Sequence, residues 1–293
     1  MSNNLKPLYK WTGGKRDEIK IFDKYFPEFI KNQEEYLYVE PFFGGGALYW
    51  YLNNNHNIIN DLDKELTTFL NTVKNNSQEL YSCLSEIAKK INSITEQETS
   101  ENTAEIKKLR GEIFYEWRNK DRKNGLSQMS DLDRSIRFLV VNQLSFNGMR
   151  RFNSRGEFNI PYGNYKHLSN VELLNSSDHL NLLSNTIIEN KDYKDVIKDD
   201  YDSKNTFMFL DPPYTNAFKE YTNEGEFGMK EQEELANVLK SLKNTKWMLI
   251  INSDPFICEL YSDFIKDRYP VKYSTNIKNR FDNTSEHLII TNY

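Results

Sequence analysis

The stretch "YLYVEPFFGGGALYWYLNNNHNIINDLD" (residues 36–63) decides the fold. Its first residues, "YLYVE", are aromatic, apolar or β-branched and read as a strand. Gly44, Gly45 and Gly46 read as a turn, "ALYWYL" as a helix, and "NIINDLD" (57–63) as a second short strand ending in acids. Strand–helix–strand at this spacing is a βαβ unit of a parallel sheet. Three successive glycines let the backbone take positive φ and approach a ligand closely. The N–H groups of the helix that follows can hold an anion or a polar group. A structural turn accounts for such a run equally well, and the run does not match G-x-G-x-x-G. Asp61, at the end of the second strand, stands where nucleotide-binding folds place an acid that accepts hydrogen bonds from ribose hydroxyls. Turn and acid together favour an adenosine-containing ligand.

Outward from this unit, residues 62–124 are mostly helical in pattern. "SEIAKKI" and "AEIKKLRGEIFYEWRNK" have helical spacing, and the polar "NSITEQETSENT" (92–103) between them is expected to be a loop. "DLDRSIRFLVVNQLSFN" (131–147) carries a helical apolar face behind an Asp expected to cap it. "RRFNSRGEFNIPYGNY" (150–165) alternates around Arg155-Gly156 as a β-hairpin does. "KEQEELANVLKSLKN" (230–244) reads as a helix, "KWMLIINSD" (246–254) as a buried strand, and "PFICELYSDFIKD" (255–267) as a helix starting at Pro255. "YPVKYSTNI" and "HLIITNY" suit a terminal strand pair. An α/β core therefore opens, is interrupted by a helical and hairpin insert, and resumes.

The second informative stretch is "FMFLDPPYTN" (207–216). Its apolar run reads as a buried strand, which leaves Asp211 at the rim of the sheet. Pro212 and Pro213 fix φ and remove two backbone donors, so the strand stops in a stiff turn. A carboxylate, two proline carbonyls and the aromatic face of Tyr214 are presented together. A strand end with a packed tyrosine is the bland alternative.

No run of about 18 apolar residues is present, so no transmembrane helix is expected, and the first residues contain no signal-like apolar segment. Cys83 and Cys258 lie far apart and read as free thiols in a reducing compartment, consistent with a cytoplasmic protein. His56, His167, His179 and His287 show no metal-ligand spacing, so no metal is expected. "KWTGGKR" (10–16) lacks the Walker pattern, because Arg16 follows Lys15 and no glycine stands at the required place upstream. The net charge of −5 argues mildly against nucleic acid, but the charge is segregated. From Arg134 to Lys166 the basic residues are Arg134, Arg137, Arg150, Arg151, Arg155 and Lys166, with Glu157 the lone acid. Such a local patch can supply phosphate contacts.

"KWTGGKR", "VEPFFGGGA", "NDLD", "FNGMRRFNSRGEFNIPYGNY" and "LDPPYT", in this order, resemble the Dam-type DNA adenine-N6 methyltransferases (D12 class) from Leu8 nearly to Tyr293. The resemblance implies a Rossmann-like α/β sheet that uses S-adenosyl-L-methionine. Residues 1–61 and 186–293 would form the catalytic domain, and 62–185 an inserted helical and hairpin domain that reads the target in double-stranded DNA, with one monomer acting on the duplex. Trp11, Gly14 and Lys15 match the motif lining the methionine end of the cofactor. Glu40, Pro41, Phe43, Gly44, Gly45 and Gly46 match the cofactor loop, and Asp61 the ribose acid. Asp192 and Tyr193 of "NKDYKD" match the segment at the cofactor adenine. Asp211, Pro212, Pro213 and Tyr214 match the catalytic motif. Lys10, Phe146, Asn147, Met149, Arg151 and Pro161 fall where the family touches DNA, and Arg155 at the hairpin tip suits a phosphate. Met149 replaces a more usual Leu, and "NIKNRFDNTSEH" lacks the Gly- and Lys-rich run of some relatives.

The chemistry of the residues agrees. The lone pair of an exocyclic adenine amine is conjugated into the ring, so acceptors that make the nitrogen more tetrahedral activate it. Asp211 and the Pro212 carbonyl are such acceptors, and Tyr214 offers a π-face for a base taken out of the duplex. Transfer to cytosine N4, to RNA or to another amine is the competing enzymatic reading. A binding module without turnover is the non-enzymatic one. Trp11, Tyr193 and Phe146 also suit ordinary core positions, and Arg155 a solvated tip.

Overall fold

The computed structural model describes residues 4–197, 205–214, 227–272 and 284–293. Two single-turn helices, α1 (Ile19–Phe22) and α2 (Glu28–Lys31), precede the βαβ unit of β1 (Leu37–Glu40), α3 (Ala47–Leu52) and β2 (Asn57–Asn60). The insert follows as α4 (Lys64–Glu96), α5 (Thr103–Arg118), α6 (Asp131–Leu144), an irregular segment and α7 (Ser177–Ser184). Then come β3 (Thr186–Glu189), α8 (Tyr193–Val196), β4 (Thr206–Leu210), α9 (Met229–Ser241), β5 (Lys246–Asn252), α10 (Pro255–Leu260), β6 (Ile265–Lys272) and β7 (Thr284–Thr291).

The strands form one seven-stranded sheet in the order β3-β2-β1-β4-β5-β7-β6. The first five are parallel, and β7 runs antiparallel to both β5 and β6. After β1 the chain winds outward through β2 and β3, then returns to place β4 on the other side of β1. The winding reverses between β1 and β4, and open α/β sheets bind ligands beyond the strand ends at such a point. Val39 lies opposite Met208, so Glu40 and Asp211 leave neighbouring strands at the same end.

Alternate strand residues enter opposite cores. Tyr38, Phe207, Phe209, Met248 and Ile250 join the helices of the insert on one face. Val39, Met208, Leu210, Leu249 and Ile251 pack with α9 and α10 on the other. With both faces covered, the central strands read as continuous apolar runs.

Four expectations are corrected. The polar stretch 92–103 is not a loop throughout: α4 continues to Glu96 because buried Ile91 and half-buried Ile94 keep its apolar face on the core. The remaining turn is short, and Asn102 ties it by accepting from Thr99 N (2.6 Å) and donating to Gln97 O (2.8 Å). Ser130, not Asp131, caps α6, accepting from Asp133 N at 3.1 Å. The helix from Pro255 stops at Leu260, because Ile265–Lys272 has a ladder partner in β7. The hairpin at 150–165 is no regular ladder; it is held by isolated bridges, Phe152 opposite Phe158 and Ser145 opposite Tyr162. Asn153 Oδ1 closes its tip by accepting from Arg155 N and Glu157 N. Thr215 and most of "NIKNRFDNTSEH" lie outside the described residues. No described helix is long and apolar enough to cross a membrane.

Candidate active site

The glycine turn is built by local sterics. Gly46 has φ +58°, and a Cβ there would stand 2.3 Å from the Phe43 ring, which is itself buried. Gly46 N donates to Phe43 O at 2.7 Å, so the turn closes just before α3. Trp11 lies against the turn: a Cβ on Gly44 would meet its Nε1 at 2.8 Å, and one on Gly45 its Cβ at 2.9 Å. Close packing of Trp11 thus requires these glycines before any ligand is considered. The N–H of Gly44 donates to Asp61 Oδ2 at 2.7 Å, which ties the turn to the acid after β2.

Asp61 Oδ1 accepts from Asp63 N at 2.8 Å. Asp63 is the N-cap of α4, accepting from Glu65 N and Leu66 N, so Asp61 does not cap a helix. Burial raises the Asp61 carboxyl to about 6, and the charge of Asp63 acts in the same direction. Glu40 is buried beside it and accepts from Tyr38 Oη at 2.8 Å. Burial pushes its carboxyl well above the usual carboxylate range, and the charges of Asp211 and Asp61 add to that. Pro41 O accepts from Asn60 Nδ2 at 3.0 Å.

The segment "NKDYKD" is stitched to the same end of the sheet. Asn60 exchanges hydrogen bonds with the Lys191 backbone, and Asn190 Nδ2 donates to Asp61 O at 2.7 Å. Asp192 is exposed and caps α8 by accepting from Lys194 N. Tyr193 is buried, its ring 5.1 Å from that of Phe42, so packing occupies most of it.

Asp211 is reached from both sides. Lys15, buried with its side chain only 5% exposed, donates through Nζ to Asp211 Oδ2 at 2.7 Å and to Gly13 O at 3.1 Å. Tyr214 Oη donates to Asp211 Oδ1 at 3.3 Å and lies 3.3 Å from His287 Nε2. Behind His287, Glu18 Oε2 receives His287 Nδ1 at 2.7 Å and Tyr269 Oη at 2.6 Å. Despite burial, these hydrogen bonds and the charge of Lys15 hold the Glu18 carboxyl below the usual range. Gln232 Nε2 donates to Pro213 O at 3.0 Å, which anchors the proline turn to α9. Gly14 is exposed next to this group.

The target-side residues form a second group. Lys10 is pinned by a reciprocal pair with Asn142, its N donating to Oδ1 and its O accepting from Nδ2. Its Nζ donates to Gln143 O at 2.7 Å and stands 3.5 Å from the Tyr165 ring centroid, and partial burial lowers its pKa. Gly148, at φ +63°, lets Lys10 pack against the turn, since a Cβ there would meet Lys10 Cβ at 2.7 Å. Phe146 is 51% exposed, which rules out the core position. Its backbone is fixed by Phe146 N donating to Pro161 O at 3.1 Å, with Asn147 exposed beside it at φ +54°. Met149 is half-buried against the core, Pro161 and Arg155 are exposed, and Arg151 Nε donates to Asn159 Oδ1 at 2.8 Å.

The basic stretch proves largely neutralised. Arg134 pairs with Glu65, Arg137 with Asp121, Arg150 with Asp63 and Lys166 with Glu98. The acids come from parts of the chain distant in sequence, so the segregation seen along the chain is not a charged surface. Among the described residues, Arg151 and Arg155 are left outside these pairs. Sequence reasoning also missed Glu18, His287, Gln232 and the Lys15–Asp211 pair, whose partners carry no periodic or spacing signal.

The model of the D12 class N6 adenine-specific DNA methyltransferases matches residues 11–277. The chain is 31% identical over 300 residues to the type II methyltransferase M.CviBI of Paramecium bursaria Chlorella virus NC1A, covering 99% of this chain and 100% of that protein. It is 32% identical to the type II methyltransferase M1.LlaDCHI of Lactococcus lactis subsp. cremoris, over 99% of this chain and 96% of that one. To the DNA adenine methylase of Haemophilus influenzae it is 29% identical over 88% of this chain and 83% of that one. A match spanning the glycine turn, the insert and the proline turn alike makes this chain a member of the D12 class of N6 adenine-specific DNA methyltransferases.

Proposed function

We propose that this enzyme binds S-adenosyl-L-methionine and methylates N6 of an adenine in double-stranded DNA, at a GATC-like site, after the adenine has turned out of the duplex into the Asp211–Tyr214 pocket. The observation that carries this reading is the placement of Asp211 beside Glu40 and the glycine turn, where the sheet reverses its winding. Glu40 and Asp61 suit a cationic cofactor with a ribose: a cation beside Glu40 would offset the burial and the neighbouring acids that hold its carboxyl above the usual range, and Asp61 offers an acceptor for hydroxyls. Trp11, Gly14 and Lys15 would line the methionine end, Pro41 and the turn from Phe43 to Gly46 the middle, and Asp192 with Tyr193 the adenine end. The cofactor supplies a methyl group on a sulfonium, which needs no nucleophile from the protein.

The chain's own residues do the rest. Asp211 and the Pro212 carbonyl accept from the target amine, and in-line positioning supplies much of the rate. Lys15 Nζ and Tyr214 Oη hold the two oxygens of Asp211 in place, and the Tyr214 ring is held through its hydroxyl. Residues 62–185 act as the target-recognition part. The test is incubation with labelled cofactor and unmethylated duplex, followed by identification of the modified base and its context. Label on cytosine or on RNA alone rejects the reading.

Phe146 is assigned to the gap left by the flipped base. Phe146→Ala should lower the fluorescence of 2-aminopurine at the target position while cofactor binding persists. Its exposed ring predicts little change in stability, against about 3–5 kcal/mol for a buried phenylalanine; a melting temperature lowered to that extent refutes the assignment.

Arg151 is assigned to an outer guanine, with Lys10 at the opposite end of the site. Guanine offers O6 and N7, which an arginine bridges with two donors. Arg151→Ala should lose about 1–3 kcal/mol of discrimination at one base pair, measured on duplexes substituted one pair at a time. Uniform weakening with a shallower salt slope would reassign Arg151 to a phosphate.

A further inference from the structure

We propose that Arg150 is a positioning residue that couples the two ligands: through its ion pair with Asp63 it ties the target-reading hairpin to the cofactor loop, so that each ligand strengthens binding of the other. The inference rests on the cofactor and DNA sites proposed above and adds a link between them.

Arg150 belongs by sequence to the basic stretch, next to Arg151, yet its guanidinium points inward. The Arg150 and Asp63 side chains are only 13% and 22% exposed. The guanidinium carbon lies 5.6 Å from the Trp11 ring centroid, 5.3 Å from that of Phe138 and 5.7 Å from that of Phe152. These rings come from the N-terminal motif, α6 and the hairpin. Besides its own hairpin, one cation thus meets two separate chain segments, and a third through Asp63.

From Asp63 the connection runs to the cofactor loop in two hydrogen bonds. Asp63 N donates to Asp61 Oδ1 at 2.8 Å, and Asp61 Oδ2 accepts from Gly44 N at 2.7 Å. Trp11 closes the circuit, since it touches both the guanidinium and the glycine turn. A ribose on Asp61 would fix the loop that holds Asp63, and through it the start of the hairpin that carries Arg151. A duplex gripping the hairpin would fix the same parts from the other end. Coupling between two sites is reciprocal by thermodynamic necessity. An arginine serving only as core filler would be replaceable by an apolar side chain of similar length; the role proposed here needs the charge.

The experiment titrates S-adenosylhomocysteine into the full chain with and without the duplex that wild type methylates, and the duplex with and without S-adenosylhomocysteine. Wild type is expected to show equal ratios in the two directions, within the roughly 5–150-fold range typical of such couplings. Arg150→Met, which fills the space between the rings without charge, should bring the ratio close to one. Arg150→Lys should restore part of it. If Arg150→Met fails to fold, Asp63→Asn decides the matter, because asparagine keeps the α4 cap while removing the charge. The double variant should be no worse than either single one, as expected for partners in one interaction. Wild-type ratios in Arg150→Met or Asp63→Asn overturn the proposal, as does a wild-type ratio of one with both ligands bound. Failure of wild type to bind either ligand overturns the functional reading itself, and the coupling with it.

Discussion

Asp211→Ala is expected to slow single-turnover methyl transfer by about 10²–10³-fold, the usual cost of removing one preorganised electrostatic partner. The target amine loses its charged acceptor, and Lys15 loses the carboxylate 2.7 Å from its Nζ. A cation whose side chain is 5% exposed then keeps the Gly13 carbonyl and, at 5.3 Å, the Tyr214 ring, but no carboxylate in direct contact among the described residues. Stability should therefore fall as well, and a thermal melt must accompany the rate. Asp211→Asn separates the two effects: it keeps the shape and an acceptor oxygen but not the charge. A near-normal single-turnover rate in a folded Asp211→Ala protein would show that Asp211 is not the acceptor.

The second large effect is expected on cofactor affinity. Asp61→Ala should weaken S-adenosyl-L-methionine by about 1.5–3 kcal/mol, the range for hydrogen bonds to a charged group, read by titration calorimetry. The same carboxyl predicts a pH dependence. With its pKa at about 6, Asp61 becomes protonated as the pH falls through 6, and cofactor affinity should drop there. For the free protein the sign is opposite. A carboxyl raised from 3.8 to about 6 contributes stability that is complete below about 3.8 and is lost as the pH rises through 6. Asp61→Asn should flatten both profiles near pH 6. Affinity that is flat between pH 5 and 7 in wild type would exclude the ribose role for this carboxylate.

Most of what positions the candidate site is legible because it is local. The glycine turn, the acid after β2 and the proline turn after β4 each follow a short apolar strand, and strand ends in such sheets carry the chemistry. What escaped was long-range. Nothing near Lys15 reveals that it faces Asp211, and nothing near Glu18 that it receives His287. The basic stretch misled because partners such as Asp121 for Arg137 come from other elements. Element ends failed for the same reason. "FIKD" continues a helical pattern after Leu260, but Ile265 pairs with Ile290, and ladder pairing decides its conformation. Phe146 extends the apolar pattern of α6, yet the Pro161 carbonyl claims its N–H and turns the ring outward.

The place of β7 has a bearing on how the enzyme is made. It follows β6 in the chain but lies between β5 and β6 in the sheet, so a growing polypeptide that has completed β6 cannot yet attach it. Until β7 is available, β5 presents an open edge, the kind of surface that pairs with other chains. His287, which contacts Tyr214, arrives on that same strand. Closing the sheet and supporting the proline turn are therefore one event, which waits for the last strand of the sheet. A nascent chain stalled before that event contains the glycine turn and Asp61 but lacks the histidine that contacts Tyr214.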